Sequence, residues 1–426
     1  MTTPAENALL TQTGPNTPMG DLFRRYWIPM LLASELPEPD CPPVRVKLLS
    51  ESLVAFRETS GKIALLDEFC AHRRVSLWFG RNEENGIRCP YHGWKYDSTG
   101  QCVDIPSEEP GSKLCDKVKL KSYPCIELGG VIWTYMGPEE LQPPVPEFEW
   151  ATVPDSHRYV NKRWQECNYL QAMEGGVDSS HVSSLHSGEL HTDPLHKGTK
   201  GAGYQADTRP KFEIAQSDSG LLIGAKRAAG EDESYWRVTQ WIMPWYTMIP
   251  PYGDHSLHGH AWVPMDDDNC VAWNFTHHPG RELSSEERHA MENGQGIYAD
   301  LIPGTFRTVA NKDNDYLIDR AAQKTGRYYS GVKGIAMQDA SLQESMGPVV
   351  DRSLERLVST DVAIVHVRRR LGAAAKALAA GEAKLAGLDP QTHHVRPASF
   401  VAPRSASLAD AQAAFSAREG LAHTSI

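Results

Sequence analysis

The chain has 426 residues, of which 40% are apolar and 23% charged, the balance of a folded globular protein rather than a disordered or fibrous one. That length exceeds one typical core, so two domains, or one large domain with a smaller partner, are expected. A net charge of −11 at pH 7 offers no basic face to nucleic-acid phosphates. No stretch nears the roughly 20 apolar residues of a membrane span, and the start lacks the basic-then-apolar order of a secretory signal. No nucleic-acid or membrane partner and a cytoplasmic location are the expectations.

In chain order, MGDLFRRYWIPMLLASELPEPD reads as a short amphipathic helix ending at the prolines of residues 37–43. VRVKLLS, SLVAFRE, KIALLDEFC and GGVIWTYMG then read as strands, from their alternation and their β-branched and aromatic residues. These patterns predict a helical segment over 1–40 and a small all-β domain over 41–145. The proline-rich stretch from Pro138 to Trp150 would be the linker to a second domain, 146–426. There, Tyr169, Leu170, Met173 and Val177 have helical spacing. Strands follow at Leu221–Arg227, Ser234–Pro244, His258–Met265 and Asn269–His278, which imply an antiparallel sheet flanked by helices. An alanine-rich helix follows Thr360 and Asp361, both suited to an N-cap. The fold class is α+β.

Two segments carry metal-binding chemistry. FCAHRRVSLWFGRNEENGIRCPYHGWKYD places Cys70 and His72 ahead of Cys89 and His92, with sixteen residues between the two pairs. Each pair offers one thiolate and one imidazole, unlike the C-x2-C and H-x3-H pairs usual in zinc sites. A two-iron cluster in which two histidines replace two cysteines on one iron suits this order. The cassette resembles Rieske [2Fe-2S] domains. Cys102, Cys115, Cys125, Cys167 and Cys270 lack such partners and read as buried free thiols.

The second segment, EGGVDSSHVSSLH, holds Asp178, His181 and His186. On one helix Asp178 and His181 fall about 60° apart and share a face, whereas His181 and His186 fall about 140° apart. The helix must therefore bend or end between the two histidines. Two histidines with one carboxylate from elsewhere form the facial triad of non-haem Fe(II) oxygenases.

Together the two segments resemble the large subunit of Rieske non-haem iron oxygenases, within the phthalate-dioxygenase-like group. The likeness rests on NYLQAMEGGVDSSHVSSLH, IMPWYTMIPP, HAWVPMDDD, NKDNDYLIDR and GIAMQDASLQESMGPVVDR. It implies a Rieske domain, a helix-grip catalytic domain, and His181 and His186 as ligands of a mononuclear iron that uses O2. It also implies a third ligand at Asp339, with Glu344 and Asp351 as nearby competitors. Asp178 would bridge to the cluster of a neighbouring subunit in a homotrimer or a dimer of trimers. Where many relatives carry an asparagine four residues before that aspartate, this chain has Glu174. No dinucleotide fingerprint opens a helix after a strand, so a separate reductase would bring electrons from NAD(P)H.

A small aromatic compound is the expected substrate, an aromatic carboxylate above all, in aromatic catabolism, with hydroxylation and O-demethylation both open. Arg209, Arg227 and Arg237 lie on or beside the expected sheet, and Arg209 and Arg237 are the candidates to pair with a substrate carboxylate. Trp236, Trp241, Trp245 and Tyr246 could wall a pocket or fill the core. Two rival classes are an electron carrier without catalysis, which needs only the first site, and a zinc-binding interaction module.

Overall fold

A computed structural model describes residues 2–190, 192, 193, 195, 203–251, 255–381 and 384–418. It divides into two compact units, Thr13–Pro143 and Met1–Gln12 with Pro144–Ile426.

The unit Thr13–Pro143 is built from antiparallel strands. One sheet orders Val44–Leu48, Glu51–Arg57, Ile63–Asp67 and Ser122–Tyr123. A second orders Arg81–Asn82, Ile87–Arg88, Lys95–Tyr96 and Cys102–Asp104. A third sets Val131–Tyr135 between Trp27–Leu32 and Cys125–Leu128. The short helix expected over residues 19–40 is corrected here: the α-helix covers Pro18–Phe23, Trp27–Leu32 is a strand, and a single 3-10 turn follows at Ala33–Glu35. Trp-Ile-Pro-Met-Leu-Leu gains its backbone partners by pairing with Val131–Tyr135 around a register shift between Pro29 and Leu31. Proline is tolerated on an edge strand or at a bulge, and long-range pairing outweighs local propensity.

The larger unit centres on an eight-stranded antiparallel sheet. Its order is Arg158–Gln165, Cys270–His277, Leu257–Pro264, Tyr246–Ile249, Glu233–Ile242, Gly220–Ala228 and Lys211–Gln216, with Ala398–Pro403 paired to Glu233–Ile242. The helices Tyr169–Val177 and Ile335–Ser345 belong to the same unit, as does the helix Val362–Ala379. Asp361 occupies the N-cap position of the last but does not cap it with its side chain. Its carboxylate accepts instead from the Val358 N–H at 2.7 Å. The N-terminal helix Pro4–Thr11 docks on this unit, since Tyr169 donates its hydroxyl to the Leu10 carbonyl at 2.7 Å and Asn168 Nδ2 donates to the Thr11 carbonyl at 3.0 Å. Trp236, Trp241 and Trp245 are fully buried and Tyr246 nearly so, and none of the four lines the cavity described below. They belong to the core.

Candidate metal centres

Two loops of the smaller unit repeat one backbone pattern. The Cys70 N–H donates to the Val75 carbonyl at 2.9 Å and the Arg74 N–H returns to the Cys70 carbonyl at 2.9 Å. The Cys89 N–H likewise donates to the Trp94 carbonyl at 2.8 Å and the Gly93 N–H to the Cys89 carbonyl at 3.0 Å. The fifth residue of each loop turns through the left-handed region, Arg74 at φ +61° and Gly93 at φ +77°. A Cβ at residue 93 would meet Pro106 Cγ at 2.9 Å, so it is the space beside Pro106, together with a backbone that glycine adopts without strain, that favours glycine there.

Each loop buries its cysteine and leaves its histidine nearer the surface. The two imidazoles approach to 4.4 Å between ring centroids, and His72 stacks on Trp94 at 4.8 Å. The Tyr96 hydroxyl lies 3.2 Å from Cys70 Sγ and accepts the Ala71 N–H at 3.1 Å, which leaves its proton to donate to the sulfur. Burial raises the Cys89 pKa. Buried thiols beside partly exposed imidazoles, on matching loops and with a donor on sulfur, suit a Rieske cluster.

In the larger unit, the helix Tyr169–Val177 ends one residue before Asp178, and His181 and His186 bracket the single turn Val182–Leu185. The break therefore falls before His181, not between the histidines, and Asp178 shares no continuous helix with His181. Ser180 makes that break: its N–H and its hydroxyl both donate to Asp178 Oδ1, at 2.7 Å and 2.5 Å. Asp178 Oδ2 accepts from His181 Nδ1 at 3.2 Å. Asp178 Oδ1 thus already accepts two local bonds.

Asp339 comes from the helix Ile335–Ser345. Its Oδ1 is 3.5 Å from His181 Nε2 and 3.3 Å from His186 Nε2, and one ligand atom from each residue lies within 4.8 Å of the others. Burial pushes the His181 pKa down, but Asp178 and Asp339 outweigh it and lift it to about 9. The local field therefore favours positive charge at that site, and the donor set fits a divalent metal.

The competing carboxylates are occupied elsewhere. Glu344 accepts the Tyr316 hydroxyl at 2.6 Å and the Glu166 N–H at 3.1 Å, while Asp351 is exposed and accepts from Ser353. Glu174 pairs with Arg368 at 2.7 Å and Arg352 at 3.4 Å, the first tying the helix Tyr169–Val177 to the helix Val362–Ala379.

The triad opens on a cavity of about 100 Å³ that includes Arg237, Ile249, Trp262, Ile297 and Ile335. Gly175 and Gly176 let the helix pass along it: a Cβ at residue 176 would meet the Trp262 ring at 2.4 Å, and one at residue 175 the Gln343 amide at 2.3 Å. Arg209 is exposed and does not line this cavity. Arg227 is buried and braces the break at Asp178, donating to the Ser179 carbonyl at 2.5 Å and its hydroxyl at 3.2 Å.

Residues 26–124 match the Rieske [2Fe-2S] domain family, and residues 134–419 match the family described as LigXa C-terminal domain like. The chain is 36% identical over 418 residues to the 3-chlorobenzoate-3,4-dioxygenase oxygenase subunit of Comamonas testosteroni, covering 94% of this chain and 95% of that one. The chain belongs to the Rieske oxygenase family. This Rieske oxygenase is also 37% identical over 403 residues to the phthalate 4,5-dioxygenase oxygenase subunit of Pseudomonas putida, covering 90% and 89%. Its fold is that of the crystal structure of dicamba monooxygenase bound to dicamba, with a TM-score of 0.61 at 20% identity over 84% of this chain and 98% of that one.

Sequence reasoning missed four residues of the Rieske oxygenase site. Gln338 precedes Asp339 and its Oε1 faces His186 Nδ1 at 2.7 Å. Arg163, His260 and Trp262 line the cavity. The available signal was the arginine inside the strand Arg158–Gln165, beyond the one that opens it, and the alternation of His260 and Trp262 along theirs.

Proposed function

We propose that this chain is the terminal oxygenase of a multicomponent system, in which a separate reductase passes electrons from NAD(P)H and O2 is spent on a small aromatic compound. The reaction is hydroxylation or O-demethylation, the substrate an aromatic carboxylate, and the setting aromatic catabolism in the cytoplasm. One observation carries the reading: the ligand atoms of His181, His186 and Asp339 converge within 4.8 Å beside an apolar cavity that also contains arginine. Such a cavity desolvates a ring and offers its acid group a partner. At about 100 Å³ it lies below the few hundred Å³ of most ligand pockets, which favours a single ring.

Cys70, His72, Cys89 and His92 would hold the [2Fe-2S] cluster, and His181, His186 and Asp339 a mononuclear Fe(II). Bound there, these groups supply one-electron storage and O2 activation. The chain's own residues set the geometry. Asp178 and Gln338 hold the outer nitrogens of His181 and His186, which keeps both Nε2 lone pairs aimed at the site. Ile249, Trp262, Ile297 and Ile335 exclude water from the ring. In a homotrimer, or a dimer of trimers, Asp178 would connect His181 to a neighbouring subunit's cluster histidine.

Product analysis tests the function. The purified chain, a reductase, NADH and 18O2 are supplied with benzoates and methoxybenzoates, and either a ring-hydroxylated product carrying 18O, or an unlabelled phenol released in step with formaldehyde, is expected. Reductant consumption with neither a hydroxylated nor a demethylated product across the panel would overturn it.

A further inference from the structure

Arg163 stands on the strand Arg158–Gln165 and lines the same cavity as His181, His186 and Asp339. Only 4% of it is exposed. Its Nη1 donates to Gln165 Oε1 at 2.8 Å, while its Nε has no acceptor among the described residues. The acids that act on it do so through space: Glu344, already held by Tyr316 and Glu166, and Asp339, which faces the two histidines. A guanidinium taken out of water without a bonded counter-ion is costly, and such groups are normally paired.

The neighbouring His260 does not supply positive charge. Its Nδ1 lies 2.7 Å from Asn274 Oδ1, and burial with Arg163 nearby lowers its pKa to about 4. Arg237 enters the cavity from Glu233–Ile242, four places along the sheet from the strand of Arg163. The two guanidiniums therefore reach the cavity from different strands.

We propose that Arg163 is the carboxylate anchor of the cavity, donating from Nε and a free Nη hydrogen to the two oxygens of an aromatic acid whose ring packs against Trp262 and the cavity isoleucines. A planar fork of donors matches a carboxylate in this way, and an ammonium does not. The assignment rests on the aromatic-acid reading above and adds the residue that selects the acid.

Calorimetric titration of the full-length protein tests it, with benzoate, 3-methoxybenzoate and phthalate as probes beside benzamide and 3-methoxybenzamide. In Arg163→Gln the acids are expected to bind about a hundredfold more weakly, as for loss of one partner of a buried charge pair, with the amides within about threefold of wild type. Arg163→Lys keeps the charge without the fork and is expected to lose about tenfold for the acids alone. It also serves as the test should the glutamine variant fail to retain its cluster spectrum. Arg237→Gln, made in parallel, is expected to weaken the acids less than Arg163→Gln. Wild-type affinity for the acids in both Arg163 variants, equal loss of acids and amides, or an effect confined to Arg237→Gln would each overturn the assignment. A wild-type protein that binds neither series sinks the aromatic-acid reading itself, and the anchor with it.

Discussion

Gln338 Oε1 accepts a hydrogen bond from His186 Nδ1 at 2.7 Å, while the same amide donates Nε2–H to the Val332 carbonyl at 3.1 Å. The second bond settles which way the amide faces, and so places the proton on His186 Nδ1 and the lone pair on Nε2. Gln338→Leu keeps much of the bulk and removes the acceptor. Iron affinity at the second centre is expected to fall about 10–100-fold, with the visible spectrum of the cluster unchanged. Iron retention equal to wild type in a chelator titration would show that Gln338 does not orient the ligand.

The two ligand sets are separable. Wild-type protein is expected to carry about three irons and two acid-labile sulfides per chain, as a two-iron cluster plus one mononuclear site requires. Cys70→Ser should lose sulfide and colour but keep one iron, whereas His181→Ala, His186→Ala and Asp339→Ala should keep the cluster and lose turnover. Stoichiometric zinc, or iron without sulfide, contradicts the assignment.

Asp178→Asn preserves shape and removes charge at the group bonded to His181. Both centres should assemble and the reductase should reduce the cluster normally. Cluster re-oxidation with substrate and O2 should slow by about a hundredfold or more, in line with the loss of an orienting carboxylate. Stopped-flow traces matching wild type would confine Asp178 to its local bonds with Ser180.

Gly176→Ala forces a methyl group against the Trp262 ring and the Thr247 hydroxyl, which a Cβ would meet at 2.4 Å and 2.7 Å. Overpacking of this kind costs about 1–3 kcal/mol. A lower melting temperature and weaker binding of aromatic probes are expected together. An unchanged melt would mean that the helix shifts at no cost.

Glu149 accepts from His277 Nε2 at 3.2 Å and from Arg396 Nε at 2.8 Å. Burial raises its pKa, but His277 and Arg396 outweigh that and hold it near about 2, against 4.5 ordinarily. A depressed folded-state pKa stabilises the fold above the unfolded value, and that stability is lost as pH falls from 4.5 toward 2. Glu149→Gln should therefore cost about 2 kcal/mol at neutral pH, discounted for partial exposure, and the gap to wild type should narrow below pH 4.5. Parallel melts at pH 7 and pH 3.5 check this, and a constant gap would contradict it.

The candidate cluster ligands Cys70, His72, Cys89 and His92 were legible because each pair sits within one short loop, where spacing alone fixes what a thiolate and an imidazole can reach. His181 and His186 were legible for the same reason, and the strands at Ser234–Pro244 and Asn269–His278 because alternation marks a sheet face. Trp27–Leu32 was not, since a short apolar run takes its conformation from the strand that pairs with it. The identity of the third carboxylate by geometry was not either: Asp339, Glu344 and Asp351 are close in sequence, and only the helix Ile335–Ser345 turns the first toward the histidines while Tyr316 and Ser353 occupy the others. Arg163 and Arg209 are both arginines near sheet strands in the sequence. One is buried at the cavity and the other exposed, because side-chain burial depends on which distant segments cover a strand, and local spacing carries no information about those.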